Sequence, residues 1–253
     1  MIHFVGAGPG AVDLITVRGQ RYLKEADVII YAGSLVNKGL LEYAKEGCEV
    51  YNSAYMTLEE VIEVMIKSEK EDKMTVRLHT GDPCLYGAIR EQMDILDEKG
   101  MDYDSCPGVS SFCGAAAALN LEYTLPEVSQ SVIITRTEGR TPVPEREKIM
   151  SFAAHGATMV LFLSTGLLEK LVKELLAGGY ASDTPAAIVY KATWPEEEAY
   201  VCTIGTLVET ARKHQITKTA LILVGNVVTH SHYERSKLYD PGFTTEFRKG
   251  SDS

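Results

Sequence analysis

Two glycine-rich loops in the first half of the sequence have compositions that suit ligand binding. The first is Gly6-x-Gly8-x-x-Ala11, and a loop of this type after a strand can bring backbone N–H groups close to a pyrophosphate. Pro9 removes one of those N–H groups, and no acidic residue ends the next strand, near Tyr31, to hold a ribose. The loop is therefore a dinucleotide site, a tight turn without a ligand, or a loop whose backbone approaches another ligand.

The second loop spans residues 80–87 and follows a buried strand-like run. Gly81 allows close approach of the backbone, Pro83 stiffens the turn, and Asp82 can cap a helix or hold a cation such as an α-amino group. An ordinary Gly-Asp-Pro turn with a capping aspartate explains the same residues equally well. His79, just before the loop, either faces a ligand or is a structural histidine.

Two further segments carry groups that bind carboxylates. Pro107-Gly108-Val109-Ser110-Ser111 delivers two hydroxyls to the start of a helix, where free N–H groups suit a carboxylate or the serines simply act as caps. Arg136 and Arg140 lie in a loop rich in Gly and Pro. They either clamp carboxylates in bidentate fashion or belong to a solvated loop.

Several other chemistries have no support in the sequence. It contains no GxSxG, HExxH or P-loop motif, which disfavours the common hydrolase and nucleotidase mechanisms. His230 and His232 have no third ligand close to them, and the five cysteines form no CxxC, so no metal site is expected. The formal net charge of −10 disfavours a general nucleic-acid binder. A few arginines in one cleft can nevertheless bind an acidic small molecule.

The bulk composition is that of an ordinary globular protein. The 253 residues include 45% apolar and 24% charged residues, and this length suits one large or two modest domains. No apolar run reaches about 18 residues, so no transmembrane helix is expected. No signal peptide is visible, and the cytoplasm is the expected compartment.

Alternating strands and helices must position these loops. In the first half, strands are predicted at 2–5, 28–31 and 74–78. Helices are predicted after Thr16, from the capping box Thr57-x-x-Glu60, from near Tyr86, and over 110–119. In the second half, strands are predicted at 131–135, 159–163, 186–190, 200–203 and 220–224, and helices at 146–154, 167–176 and 206–213.

This order predicts a fold of class α/β with two tandem domains. The domains are expected over 1–120 and 121–240, the second with a mixed sheet, followed by a mobile tail over 241–253. Ligands of open α/β sheets lie beyond the carboxyl ends of the strands. The cleft between two such domains is therefore the expected binding site.

Taken in order, the loops resemble the tetrapyrrole methylase superfamily over about residues 1–240. The resemblance rests on Val5-Gly6-Ala7-Gly8-Pro9-Gly10 with Asp13-Leu14-Ile15-Thr16-Val17, on Gly81-Asp82-Pro83, and on Pro107-Gly108-Val109-Ser110-Ser111. Within the superfamily, segments 135–144 and 189–195 resemble the branch that methylates C-11 of precorrin-4 or cobalt-precorrin-4.

The resemblance implies an S-adenosyl-methionine-dependent methyltransferase of cobalamin biosynthesis that forms a homodimer. It also implies that the donor binds in folded form in the cleft between the domains. Carried over position by position, the donor contacts from the first domain are Pro9, Thr80, Gly81, Asp82, Leu85, Ser110 and Ser111. Those from the second domain are Ser164, Ala192, Thr219, Ala220 and Leu221. The cations expected to hold the carboxylates of the macrocycle are Arg18, Arg136, Arg140 and Lys191.

No catalytic acid or base is assigned. Members of the family often have Asp-Pro directly after the glycine loop, whereas this chain has Ala11-Val12. Methyl transfer from a sulfonium is an in-line displacement, which requires alignment and exclusion of water but no metal and no covalent nucleophile. The alternatives left open are a methylase for another precorrin, a nicotinamide-dependent oxidoreductase, and a tetrapyrrole carrier without catalysis. Both cobalt-containing and cobalt-free substrates are compatible with the sequence, and overall similarity favours the cobalt form.

Overall fold

The computed structural model describes residues 1–229 and 233–251, with only the backbone of Ser34. The chain divides into two compact units. The first contains Met1–Ala115 and Lys191–Glu196, and the second contains Ala116–Tyr190 and Glu197–Ser253. The segment Lys191–Glu196 thus lies with the first unit, although its position in the sequence places it within 121–240. The predicted limits at 120 and 240 and the mobile tail stay predictions.

The first unit is built on a parallel five-stranded sheet in the order β3-β2-β4-β1-β5. Its strands are β1 (Ile2–Gly6), β2 (Val28–Tyr31), β3 (Glu49–Asn52), β4 (Thr75–His79) and β5 (Tyr103–Cys106). Its helices are α1 (Val17–Glu25), α2 (Leu58–Lys70), α3 (Arg90–Glu98) and α4 (Ser111–Ala118), the last of which runs into the second unit. Alternate residues of the strands enter two separate apolar clusters, one on each face of the sheet.

Three features of the first unit differ from the sequence-based expectations. The strands β3 and β5 were not predicted, because both are edge strands whose half-exposed polar residues interrupt the apolar run. The predicted helix start near Tyr86 is wrong. Tyr86 and Ala88 have positive φ angles of 55° and 48°, so the chain enters a helix only at Arg90.

The second unit contains a mixed five-stranded sheet in the order β6-β7-β10-β8-β9. Its strands are β6 (Val132–Arg136), β7 (Thr158–Phe162), β8 (Pro185–Tyr190), β9 (Glu198–Thr203) and β10 (Ala220–Val224). Only the β6–β7 pair is parallel among the four pairs of this sheet, which confirms the predicted mixed sheet. Its helices are α5 (Ile149–Ala153), α6 (Leu168–Ala177) and α7 (Leu207–Lys213). The helix predicted from residue 146 begins later, at Ile149, because a short 3-10 turn occupies Glu145–Glu147.

The capping box at the start of α2 is confirmed and supports a stability prediction. Thr57 Oγ1 accepts a hydrogen bond from the Glu60 N–H, and the Glu60 carboxylate accepts one from the Thr57 N–H. Thr57→Ala removes one of these bonds and is expected to lower the free energy of unfolding by about 1 kcal/mol in urea titrations. Thr57→Ser keeps the hydroxyl and serves as the control. Equal losses in both variants would contradict a role of the hydroxyl.

Candidate functional site

The glycine-rich loops meet at one edge of the first sheet. Because β4, β1 and β5 are parallel neighbours, their carboxyl ends lie side by side. The Ala7 N–H donates to the His79 carbonyl at 2.7 Å, and Gly8 and Gly81 exchange two backbone hydrogen bonds of 3.2 and 2.8 Å. The loop after β1 is therefore a continuation of the sheet that pairs with the loop after β4.

Three glycines allow these loops to touch through their backbones. A Cβ atom placed on Gly6 would lie 2.5 Å from Gly108 Cα and 2.6 Å from the Gly81 carbonyl oxygen. Both neighbours are backbone atoms, which cannot rotate away as a side chain can. Gly6, Gly81 and Gly108 thus form what we call the glycine interlock, in which the loops after β1, β4 and β5 fix one another.

Asp82 strengthens the same arrangement through hydrogen bonds. Its Oδ1 accepts from the Cys84 N–H at 2.8 Å, and its Oδ2 accepts from the Gly108 N–H at 2.9 Å. Burial raises the pKa of this carboxyl, but the bonds from Cys84 and Gly108 outweigh burial and hold the pKa below 3.8. The alternative that Asp82 caps the following helix is wrong, since α3 begins only at Arg90. Asp82 instead closes a tight turn and ties it to the loop after β5.

The geometry of the first loop does not support dinucleotide binding. The N–H groups of Ala7, Gly8 and Ala11 all donate within the first unit, the last to Thr193 Oγ1 at 3.0 Å, and Pro9 has no N–H. A 3-10 turn at Val12–Leu14 follows the loop in place of the helix that a pyrophosphate requires. Three amides of the loop are therefore already engaged, which disfavours the nicotinamide alternative.

Trp194 supports the loop after β1, and the sequence had not assigned this residue a role. Its Nε1–H donates to the Pro9 carbonyl at 3.1 Å, and its ring lies against Gly10, where it fills the space that a Cβ would need. Asn37 Nδ2 donates to the Gly10 carbonyl at 2.8 Å from the other side. The available signal was the single tryptophan of the chain, which lies in a segment resembling the C-11 branch.

The other predicted donor residues of the first unit surround these loops. Ser110 is buried and Ser111 half-buried where α4 begins, and the backbone there lies next to Gly81. Thr80 and Leu85 are half-buried around Asp82. Ala192, which was predicted to approach the donor from the second domain, is buried in the first unit. Ala192 thus belongs to the same unit as the first-domain set, and its neighbour Thr193 accepts a hydrogen bond from the Ala11 N–H in the loop after β1.

The predicted donor residues of the second unit also lie at one edge of their sheet. The register pairs Leu161 of β7 with Ile222 of β10, so the end of β7 lies beside the start of β10. Thr219 precedes β10 with a φ of 58°, and Ala220 and Leu221 are buried. The Ser164 hydroxyl is fully buried, donating to the Phe162 carbonyl and accepting from the Thr137 N–H. The Ser164 hydroxyl therefore already has a donor and an acceptor within the second unit, and its contact with the methyl donor stays a prediction.

The four cations predicted to hold carboxylates have different surroundings. Arg136 donates to the carbonyls of Thr141 and Pro142 at 3.2 and 2.8 Å, so its guanidinium holds its own loop together. Lys191 lies 3.6 Å from Glu196 and 5.7 Å from the centre of the Trp194 ring. Arg18 and Arg140 are exposed. Their predicted contacts with a substrate stay predictions.

A face of β4 places two polar residues that the sequence analysis did not single out, Thr75 and Arg77, beside His79. Thr75, Arg77 and His79 alternate along this central strand and are each less than 9% exposed. Arg77 and His79 line a cavity of about 310 Å³ in the first unit. We call these three residues the β4 polar face.

The imidazole of His79 is expected to remain neutral over the physiological pH range. Burial, together with the positive charge of Arg77, lowers the pKa of His79 from 6.5 to about 3. Its ring-proton NMR shifts should therefore stay constant between about pH 5 and 8, whereas those of free histidine in the same sample move. A midpoint within that range would contradict the burial of this ring in solution.

The same shift predicts how stability depends on pH. The unfolded chain takes up a proton at His79 near pH 6.5, whereas the folded chain does so only near pH 3. Because the unfolded chain binds this proton first, the free energy of unfolding decreases as the pH falls from 6.5 towards 3. His79→Gln should flatten the pH dependence of urea unfolding in that range, and an unchanged slope would contradict the linkage.

The described residues contain neither a cluster of metal ligands nor a membrane-spanning helix. No group of three or more His, Cys, Asp or Glu side chains in 1–229 and 233–251 could hold a metal ion. Within the same ranges no helix has the length and apolarity needed to cross a membrane. The pair His230 and His232, discussed above as an incomplete metal motif, lies outside the described residues.

The fold and the loop arrangement define a class of protein with known members. Residues 1–208 match the Tetrapyrrole (Corrin/Porphyrin) Methylases, and the chain belongs to this family. It is 55% identical to the cobalt-precorrin-4 C(11)-methyltransferase of Methanocaldococcus jannaschii, with 98% of this chain and 96% of that protein covered. It is 42% identical to the precorrin-4 C(11)-methyltransferase of Pseudomonas aeruginosa, with 98% of this chain and 99% of that protein covered.

Two of the solved structures that are similar to this chain are methyltransferases. The X-ray structure of a cobalamin biosynthetic enzyme, cobalt precorrin-4 methyltransferase, has a TM-score of 0.88 and 48% identity, and the match covers 90% of this chain and 95% of that one. The uroporphyrin-III C-methyl transferase of Thermus thermophilus, complexed with S-adenyl homocysteine, has a TM-score of 0.76 and 27% identity, with coverages of 90% and 99%. The predicted α/β fold of the tetrapyrrole methylase type is confirmed, and the chain is a methyltransferase.

Proposed function

We propose that this protein transfers the methyl group of S-adenosyl-methionine to C-11 of cobalt-precorrin-4 in cobalamin biosynthesis, giving cobalt-precorrin-5 and S-adenosyl-homocysteine. The observation that best supports this proposal is the glycine interlock, because it fixes the three loops that the family resemblance assigns to the donor. Support for the cobalt form comes from two relatives with that name, which are 55% and 48% identical, against 42% for a precorrin-4 relative.

The residues in the loops at the carboxyl ends of β1, β4 and β5 fit a donor that is held by backbone and small polar groups. The first-unit residues proposed to contact it are Pro9, Thr80, Gly81, Asp82, Leu85, Ser110, Ser111 and Ala192. The second-unit residues are Ser164, Thr219, Ala220 and Leu221. The start of α4 at Ser111 presents helix N–H groups, which suit a hydrogen-bond acceptor of the donor.

Catalysis in this proposal comes from positioning. Bound S-adenosyl-methionine supplies a methyl carbon that its sulfonium already activates. The interlocked loops hold the donor rigidly, so the protein supplies alignment with C-11 before the reaction begins. Asp82 accepts bonds from Cys84 and Gly108 and stays ionised, which suits a residue that fixes the loops better than one that exchanges protons.

The acceptor is a tetrapyrrole with several carboxylates, and cations are expected to bind them. Arg18 and Arg140 are exposed cations available for this purpose, while Arg136 and Lys191 would have to exchange their present contacts. We further infer a cytoplasmic homodimer that binds neither nucleic acid nor membrane. Sedimentation at micromolar concentration tests the dimer through a mass of twice that of one chain.

The decisive experiment supplies labelled donor and each form of the acceptor. The protein is incubated with methyl-labelled S-adenosyl-methionine and either cobalt-precorrin-4 or precorrin-4, and the products are identified by mass and by the labelled carbon. Label at C-11 of the cobalt form supports the proposal. Label at another carbon, or transfer only to the cobalt-free form, contradicts it. Calorimetry with S-adenosyl-homocysteine and with NADH checks that the first binds and the second does not.

A further inference from the structure

The β4 polar face places a charged residue inside the first unit. Thr75, Arg77 and His79 share one side of the strand, whereas Val76 and Leu78 on the opposite side enter an apolar cluster. The rings of His79 and Phe4 stack at 6.3 Å, and Phe4 belongs to the apolar cluster on the same face of the sheet as the β4 polar face. An arginine at such a position is unusual, because buried arginines are almost always paired.

Arg77 has no counter-charge in the part of the chain that the structure describes. It is 6% exposed and donates from Nε to Gln92 Oε1 and from Nη1 to the Ile30 carbonyl, each at 3.1 Å. Both acceptors are neutral. Glu91 also lines the cavity but is exposed and forms no ion pair with Arg77 among the described residues. Since a guanidinium keeps its proton, the cavity wall carries an uncompensated positive charge.

His79 adds an unused hydrogen-bonding atom beside this charge. The residue is 4% exposed, and its Nε2 has no hydrogen-bond partner among the described residues. A neutral imidazole carries one N–H, which can donate to an anion without bringing a second charge. A buried polar atom without a partner costs free energy, so an incoming acceptor would be favoured. The cavity of about 310 Å³ has room for a small acidic group.

We infer that Arg77 and His79 form a carboxylate subsite, in which a carboxylate of a bound ligand pairs with the guanidinium and accepts a hydrogen bond from the imidazole. The inference rests on the proposed function for the source of this group, which is either a side chain of the tetrapyrrole or the methionyl carboxylate of the donor. Both sources present the same chemistry, and separate probes distinguish them.

The test compares Arg77→Met and His79→Gln with a matched control. Arg90→Met removes the same charge from an exposed position on α3, where Arg90 pairs with Asp94 and Asp97. The tetrapyrrole probe is uroporphyrin I, with its octamethyl ester as the probe that lacks carboxylates. The donor probe is S-adenosyl-homocysteine, with methylthioadenosine as the probe that lacks the amino-acid portion.

For a tetrapyrrole carboxylate, Arg77→Met should weaken uroporphyrin binding by about 10- to 100-fold, the size expected for a lost charged hydrogen bond. His79→Gln should have a smaller effect in the same direction, and neither variant should change the affinity for the ester. For a donor carboxylate, both variants should weaken the binding of S-adenosyl-homocysteine by the same factors and leave the binding of methylthioadenosine unchanged. Either pattern supports the subsite. Losses no greater than those of Arg90→Met on all probes would overturn it.

Urea unfolding separates recognition from a structural role. Arg77→Met removes an unpaired buried charge and keeps the length of the side chain, so its unfolding midpoint should equal or exceed that of the parent. A large fall in the midpoint of Arg77→Met with unchanged probe binding would assign Arg77 a purely structural role and overturn the subsite. Because the probes report binding alone, a failure to methylate cobalt-precorrin-4 would count against the proposed function without deciding the subsite.

Discussion

Replacing Gly6 with alanine is expected to weaken binding of S-adenosyl-homocysteine by at least about tenfold and to lower the free energy of unfolding by about 1–3 kcal/mol. The added methyl would lie 2.5 Å from Gly108 Cα and 2.6 Å from the Gly81 carbonyl oxygen. No rotamer relieves this contact, because alanine has none and both neighbours are backbone. The loops after β1 and β5 must therefore separate, and the donor site formed by the interlocked loops changes shape.

The measurement is calorimetry with S-adenosyl-homocysteine, accompanied by urea titration of the same preparations. Gly47→Ala is the matched control, because Gly47 has a φ of 79° and no atom within 4 Å of a Cβ. It should cost about 1 kcal/mol of stability through its left-handed backbone and leave the affinity unchanged. If Gly6→Ala binds S-adenosyl-homocysteine as tightly as the parent does, the interlock does not position the donor.

The loops of this site were predictable because their signals are local. Gly6-x-Gly8, Gly81-Asp82-Pro83 and Pro107-Gly108 each follow a strand, and parallel strands bring their carboxyl ends to one edge of a sheet. What local pattern did not contain was the strand order. Two of the five strands, β3 and β5, lie at the sheet edges and have little apolar periodicity. The contact between Gly6 and Gly108 follows only once β5 is known to pair with β1.

Contacts between residues far apart in the sequence explain other features that the sequence analysis did not predict. Trp194 reaches the Pro9 carbonyl across a sequence separation of 185 residues, which no window of the sequence can reveal. The placement of Lys191–Glu196 with the first unit has the same origin. The role of Arg77 was missed for another reason, because the residue lies in a run whose composition predicts a buried strand. The alternation of Thr75, Arg77 and His79 with Val76 and Leu78 was the signal that marked one polar face.

Asp82→Ala is expected to weaken binding of S-adenosyl-homocysteine by about 10- to 100-fold, because it leaves the half-buried N–H of Gly108 and the N–H of Cys84 without their acceptors. Asp82→Asn keeps one carbonyl oxygen, which can serve only one of the two N–H groups, so its loss should be intermediate. Asp183→Ala, at an exposed position in the second unit, removes the same charge and should bind as the parent does. An unchanged affinity of Asp82→Ala would contradict the role of this carboxylate in fixing the loops.

The pH dependence distinguishes this positioning role from acid–base chemistry at Asp82. The pKa of the folded carboxyl lies below 3.8, so its stabilising bonds are fully present above that value and are lost as the pH falls through the folded pKa. Donor affinity should therefore be flat at neutral pH and fall only in strong acid. A positioning role predicts that Asp82→Asn changes the affinity for donor while the pH profile of kcat keeps its shape. If Asp82→Asn instead binds donor normally and loses one limb of that profile, Asp82 exchanges a proton in the reaction and the positioning role is wrong.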